Sequence, residues 1–348
     1  MALAACSGDS EPTVDSALTP IRFAASIDEA KMTRADGSLI EGNAFSSGSI
    51  GVYAFSTSGL LTANGTSNMN NEPLSLNNTS LNYVTGRYWP SDEVSVFAYY
   101  PYNATGLTIN GSGNLPTSFT FNMQQSSGSQ IDLLVSEYTT ATLSRAANGS
   151  QAPLNGTMPL VFHHALSQIR FYVLLDIAKD GIWWDTSGNQ PISFQADITL
   201  SGLYTSGTLN ISTSPSSNEW GGHSWGSQSG SGSSVANNVS WTPVVAKTFN
   251  SSTFDPNDYT IGNAEKMLVI PATYTTLPTM TIVIHDTRTG IAEGDRNGAA
   301  TLSTTLVAND SGNLTWKPGY IYNYYFVIEL GKTVKGYFLN PLLEAEQW

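Results

Sequence analysis

Charge is scarce in this sequence. Charged residues make up 12% of its 348 residues, against about 25% in an ordinary soluble domain. Surface polarity therefore falls to Ser, Thr, Asn and Gly, a composition common in exported β-proteins. Positive charge is scarcest: 14 Lys and Arg stand against 27 Asp and Glu, for a formal net charge of -13. Phosphate recognition needs clustered Lys and Arg, so nucleic acid is excluded as a partner, as is a basic, electrostatic mode of membrane-surface binding. No run of 18 or more apolar residues exists, which excludes a transmembrane helix. The single cysteine, Cys6, excludes an intramolecular disulfide. Helical periodicity is missing as well. No stretch of 12 residues carries apolar side chains at i, i+3, i+4 and i+7, and only Asp28 to Met32 suits a single helical turn.

What is present begins with the surroundings of that cysteine. Leu3-Ala4-Ala5-Cys6 has the form of a bacterial lipobox, an aliphatic residue and two small residues before Cys. Signal peptidase needs small residues before its cut, and the freed thiol accepts diacylglycerol. Ser7-Gly8-Asp9-Ser10-Glu11-Pro12 then reads as a flexible tether. Five residues precede Cys6, fewer than a basic and an apolar signal region need, so the native start is expected further upstream.

The dominant period is two. Ile21, Phe23, Ala25 and Ile27 alternate with Arg22, Ala24 and Ser26; the same pattern runs through Val94 to Tyr99, Ile169 to Leu175, Phe194 to Leu200 and Met280 to His285. Each predicts a strand with one face to a core. Turn-rich polar segments lie between, at Ser56 to Ser80, Asn103 to Ser118, Thr139 to Gly156 and Ser212 to Asn238. Many short strands with such loops predict an all-β chain of β-sandwiches. At about 100–200 residues per domain the length suggests two. The expected division is a tether over 1–20, one sandwich over 21–150, a second over 151–330 and a strand-like tail over 331–348. That tail, with Val334-Lys335-Gly336-Tyr337-Phe338-Leu339 and a terminal Trp348, wants a partner strand in its own domain or on another chain.

Chemical motifs are weak. Gly222-His223-Ser224-Trp225-Gly226 matches the spacing of a nucleophile elbow, which has meaning only on a tight turn between a buried strand and a helix. Its flanks are rich in Gly and Ser, where a chance match is easy, so no catalytic residue is assigned. His163 and His164 are adjacent, and on a strand they point to opposite faces, a poor geometry for one metal. Asp255-Pro256-Asn257-Asp258 and Glu293-Gly294-Asp295 lack the spacing of a calcium loop and read as turns. No pair among the 27 acids is singled out for glycoside hydrolysis. Sequons such as those at Asn64, Asn103, Asn210 and Asn313 follow from composition. No metal or cofactor is expected.

Several segments taken together resemble the fimbrillin superfamily of Bacteroidales, which includes major fimbrial subunits and fimbrillin-like lipoproteins. They are Ile21 to Ile27, Lys31-Met32-Thr33-Arg34-Ala35, Ile50-Gly51-Val52-Tyr53-Ala54-Phe55, Arg87-Tyr88-Trp89-Pro90 and Val96-Phe97-Ala98-Tyr99-Tyr100-Pro101. Ile131-Asp132-Leu133-Leu134, Leu160 to Ser167, Leu268-Val269-Ile270-Pro271 and Trp316 to Tyr324 follow in order. Independently of the resemblance, Trp89-Pro90 suits an aromatic plug at a sandwich end, and Trp316-Lys317-Pro318-Gly319 a turn into a long strand from Tyr320 to Ile328. The resemblance implies two tandem transthyretin-like β-sandwich domains with a C-terminal strand extension. It also implies a fimbrial (pilus) subunit that is exported as a lipoprotein, lipid-anchored to the outer membrane through Cys6 and active in adhesion. An arginine-specific protease would cut at Arg34-Ala35 and release the first strand. A neighbouring fimbrial subunit would then fill the groove with its C-terminal strand, for which Val334, Tyr337, Phe338, Leu339, Leu342, Leu343 and Trp348 are the candidate residues. The alternative is a surface adhesin or glycan-binding lipoprotein that does not polymerise.

Overall fold

The computed structural model describes residues 19–27, 48–62, 64–77, 80–82, 86–111, 115–142, 157–177, 184–185, 190–191, 194–213, 221–240, 265–287, 300–309, 311–330, 334–338 and 344–347. These are almost all strands; the helical element among them is a 3-10 turn at Ser127–Ser129. In chain order the strands begin with β1 (Arg22–Ile27), β2 (Ser49–Phe55), β3 (Leu60–Thr62), β4 (Gly65–Ser67), β5 (Met69–Asn77), β6 (Ser80–Asn82), β7 (Val94–Tyr100), β8 (Leu107–Asn110), β9 (Ser118–Asn122), β10 (Leu134–Ser136), β11 (Thr139–Ala141) and β12 (Thr157–His164). They continue with β13 (Ser167–Ile177), β14 (Trp184–Asp185), β15 (Gln190–Pro191), β16 (Phe194–Leu203), β17 (Ser206–Asn210), β18 (Ser224–Ser229), β19 (Gly232–Ser240), β20 (Glu265–Val269), β21 (Ala272–Tyr274), β22 (Thr279–Asp286) and β23 (Ala300–Thr305). The last are β24 (Leu314–Trp316), β25 (Tyr320–Leu330), β26 (Val334–Phe338) and β27 (Glu344–Gln347).

Every segment with a period of two in the sequence is a strand here. β22 shows the reason most cleanly: Met280, Ile282 and Ile284 are buried, while Thr281, Val283 and His285 between them are half-exposed. Its neighbours β16 and β23 pair with it antiparallel along its length, and its inward face joins the larger of two apolar cores. The polar segments were expected to be loops, and here the structure corrects the expectation. β3 to β5 lie in Ser56 to Ser80, β8 in Asn103 to Ser118, β11 in Thr139 to Gly156, and β18 with most of β19 in Ser212 to Asn238. Most of these strands carry little apolar alternation, although Leu107 and Ile109 alternate on β8 and pack against the larger core. Main-chain pairing to better-patterned neighbours holds them, so tertiary context overrides their propensity.

Four larger sheets organise the described residues. One runs β1-β12-β10-β7-β2-β5-β6, with β11 also on β7. Its inner face carries Ile50, Val52, Val94, Val96, Ala98, Leu134, Leu160 and Phe162, all fully buried in the smaller core. The alternation in Val94 to Tyr99 predicted one buried face for β7, but both are buried. Phe97 and Tyr99 enter the larger core, where each meets Phe119 edge-on at ring separations of 5.7 and 5.2 Å. The second sheet runs β20-β13-β25-β26, with β27 also on β25. Facing it is the sheet β19-β16-β22-β23.

Pairing crosses the expected division between residues 150 and 151 in two places. β12 lies after it in sequence yet joins β1 and β10 in the first sheet, and β9, before it, pairs with β17 in a sheet ordered β18-β17-β9-β8. Side chains add to this seam. Gln130 Nε2 donates to Leu268 O at 2.9 Å while its Oε1 accepts from Leu268 N at 2.7 Å, imitating a strand bridge. Trp225 packs over Gly207, where a Cβ would sit 2.8 Å from its ring.

His223 closes the seam from the β18 side. It is buried (4% exposed) and stands edge-on to Phe97. Its Nδ1 accepts from Ser212 N–H at 3.0 Å, so its Nε2 carries the proton and donates to Ser136 O at 2.9 Å. Burial, with a smaller contribution from His163, lowers its pKa from 6.5 to about 4. The unfolded chain takes up this proton near 6.5 and the folded chain does not, so stability falls as pH drops from 6.5 towards 4. The full effect is about 3 kcal/mol. Urea denaturation across that pH range is expected to show a shallower loss of stability for His223→Gln than for the parent chain. Parallel pH profiles of the two would contradict this assignment.

Candidate assembly groove and C-terminal strands

The edge of the first sheet is where the expected first strand sits. β1 pairs with β12 in parallel, from Arg22↔Thr157 to Ile27↔Phe162. The alternation read in the sequence sets its facing. Ile21 and Phe23 are buried, Ala25 and Ile27 pack partly against the same smaller core, and Arg22 and Ser26 face solvent. β6, at the far end of the sheet, lies close to β1. The sheet therefore curls, and β1 at one end comes close to β6 at the other. Full burial of an Ile or a Phe stabilises by about 1.5–3 kcal/mol.

The chain entering β1 is held by a segment that sequence reading noticed only in part. Ile21 N donates to Arg87 O at 2.8 Å and Trp89 N to Thr19 O at 3.0 Å, with Pro20 and Tyr88 in an antiparallel bridge between them. Tyr88 also bridges Leu61. Trp89 is buried among the smaller core, as expected of an end plug. Arg87 points its guanidinium at Ser67 Oγ (2.8 Å) and forms an ion pair with Glu72 on β5. Asp92 fixes the far side of this segment. Its carboxylate accepts from Ser56 and Thr57 hydroxyls (both 2.6 Å) and from the Ser58 hydroxyl (2.5 Å). These hydrogen bonds hold its carboxyl well below the usual carboxylate range. The roles of Arg87 and Asp92 had no signal beyond the Arg87-Tyr88-Trp89-Pro90 string itself.

Three of the candidate donor-strand residues fall within the described residues. Val334, Tyr337 and Phe338 lie on β26, which pairs antiparallel with β25 from Phe326↔Phe338 to Leu330↔Val334. β27 pairs with the other half of β25, from Tyr320↔Gln347 to Asn323↔Glu344. Both strands are thus seated in cis. The turn before β25 matches its expectation: Gly319 takes a φ of 72°, open to glycine but strained for other residues. Lys317 N donates to Tyr322 Oη at 2.7 Å, and burial pushes the Tyr322 pKa up to about 12. Cys6, Arg34, Ala35, Leu339, Leu342, Leu343 and Trp348 lie outside the described residues, as do Asp255 to Asp258 and Glu293 to Asp295.

The remaining chemical motifs are structural. Ser224 opens β18 on the surface, opposite Asn210, so the Gly222 to Gly226 string leads into an antiparallel strand and not a helix. His163 and His164 take separate carboxylates, Glu137 at 3.1 Å and Asp132 at 2.9 Å. Among the described residues no group of three or more His, Cys, Asp or Glu is placed to hold a metal, and no helix is long and apolar enough to cross a membrane.

Residues 33–337 match the sequence profile of a family described as fimbrillin-like. No curated protein matches the sequence. Among solved structures, a candidate cell adhesion protein from Bacteroides ovatus is similar at a TM-score of 0.55 and 14% identity, covering 95% of this chain and 98% of its own. A fimbrial protein from Bacteroides vulgatus is similar at a TM-score of 0.50 and 18% identity, covering 94% of this chain and 99% of its own. At these identities the likeness is one of fold.

Phe23 is the largest side chain that β1 contributes to the core. Truncation there leaves a cavity, and Phe23→Ala is expected to cost about 3–5 kcal/mol in chemical denaturation. Arg22→Ala, one residue away and exposed, is expected to be close to neutral. Equal effects of the two would mean that β1 does not seal the core.

Proposed function

This chain belongs to the fimbrillin-like family, and from that membership we propose that it is a structural subunit of a cell-surface fimbria, exported as a lipoprotein and assembled by protease-triggered strand exchange. A fimbrial, adhesive role at the cell surface follows from the family. The finer steps are our reading. Cys6 would carry the lipid that holds the precursor at the outer membrane. An arginine-specific protease would cut Arg34-Ala35, which lies between β1 and β2 in sequence.

The observation that carries this reading is the place of β1. It is an edge strand, joined to the rest by one parallel ladder and a few main-chain bonds at its start, yet it supplies Ile21 and Phe23 to the smaller core. A cut at Arg34 would break its covalent link to β2 and leave it held by non-covalent contacts alone. Its departure would expose the β12 edge together with Met158, Leu160 and Phe162, a groove that matches an incoming apolar strand. The tail offers such a strand in Val334, Tyr337, Phe338, Leu339, Leu342, Leu343 and Trp348. Other fimbrial subunits are therefore the proposed partners.

A second reading has one observation in its favour. β26 and β27 are already seated on β25 of the same chain. A chain that is never cut would keep them there and act as a non-polymerising surface adhesin or glycan-binding lipoprotein.

Incubation of the full chain with an arginine-specific protease, followed by N-terminal sequencing and electron microscopy, separates the two. The fimbrial reading expects a new N-terminus at Ala35, loss of β1, a ladder of oligomers and filaments. Arg34→Ala is expected to abolish all of these. An uncut chain without filaments would leave the monomeric adhesin.

A further inference from the structure

We infer that this subunit transmits axial load through the parallel ladder between β13 and β25, and that the ladder is loaded in shear. The inference rests on the assembly reading above, in which one neighbour grips the β12 edge and the strands after β25 grip the next. Tension then enters at β12 and leaves past Leu330. Between those points the shortest mechanical path is β12, the corner at Ala165-Leu166, β13, and then β25.

The geometry of that path is specific. β12 and β13 belong to different sheets but are separated only by Ala165 and Leu166. β13 and β25 run parallel, from Gln168↔Ile321 to Ile177↔Leu330. Load enters β13 at its N-terminal end and leaves β25 at its C-terminal end, which are opposite ends of one ladder. Pulled this way, the strands slide, and the main-chain bonds between them are strained together. An antiparallel pair pulled apart from one end opens one bond at a time. Forced unfolding reads the barrier, so the difference appears as rupture force.

The corner is tied down on every side. Ala165 N donates to Leu133 O at 2.8 Å, and Trp225 Nε1 donates to Ala165 O at 2.7 Å. Gly319 N donates to Leu166 O at 3.0 Å, and Ser167 Oγ donates to Lys317 O at 2.7 Å. Ala165, Leu166 and Ser167 are buried, as are Ile169, Phe171, Tyr324 and Phe326 beside the ladder. Water therefore does not compete for these bonds while the strands are seated. β26 and β27 sit on β25 in the opposite sense and meet a pull from the C-terminus in the peeling geometry. They are placed to leave first.

Single-molecule force spectroscopy on the isolated full-length chain tests this. With Cys6→Ser and Pro159→Cys in each variant, handles at 159 and at the C-terminus load the ladder in shear, and handles at 159 and Lys317→Cys load it from one end. Both attachment residues are exposed. The first geometry is expected to release residues 331–348 at low force, about 60 Å of slack at full extension, and then to rupture at a force several-fold above that of the second geometry. Equal rupture forces in the two geometries, or ladder failure together with the tail, would overturn the inference. Both variants share Pro159→Cys, so a folding defect there affects both alike. The measurement needs no polymer, so failure to form filaments would remove the assembly reading and leave the shear result standing on its own.

Discussion

The structure depends on a two-residue corner. Ala165 and Leu166 carry the chain from β12, in the first sheet, to β13, in the second, and their main-chain groups are claimed by Leu133 just before β10, by Trp225 and by the turn before β25. A buried peptide without a partner would cost free energy comparable to a lost hydrogen bond, so this corner fixes the relative placement of the segments that satisfy it. Three parts of the chain, distant in sequence, converge on it. The larger core forms around the same point, with Phe97 and Phe119 from one side and Ile169, Phe171 and Tyr324 from the other.

The sheet edges are covered by the chain itself. An open strand edge is a template for another chain. Here β1 covers β12, and β26 and β27 cover β25. Both covers come from the ends of the described chain, and both are held by strand pairing. A cover made from the chain's own terminus leaves without unfolding what lies beneath it. Under the proposed assembly, that property would keep the edges closed until a neighbouring subunit arrives. The low content of charged residues makes such covers more necessary, because few edge charges are available to repel a stray partner.

Much of the fold was legible in the sequence because burial on one face of a strand writes a period of two. Ile21 to Ile27, Phe194 to Leu200 and Met280 to His285 each became a strand, with Ile21, Phe23, Ile198, Leu200, Met280, Ile282 and Ile284 buried as expected. The turn at Trp316 to Gly319 and the buried Trp89 were also readable, since Pro, Gly and Trp restrict what the backbone and the core can do. Strands β18 and β19 were not legible. They are held by main-chain bonds to neighbours, and main-chain bonds are indifferent to side-chain type. The second buried face of β7 was hidden for a related reason: Phe97 and Tyr99 looked like outward residues until β9 brought Phe119 against them.

The candidate site divides the same way. Sequence by itself determined that the chain is all-β, that the segment from Ile21 to Ile27 is an amphipathic strand and that the tail is strand-like, because local alternation and composition carry that information. Tertiary structure alone decided that β1 pairs in parallel with β12 and that Arg87 and Asp92 fix the segment that holds it. It also decided that His223 is a neutral buried strut rather than part of a nucleophile elbow. Those outcomes turn on contacts between residues far apart in the chain, and no local pattern encodes a distant partner.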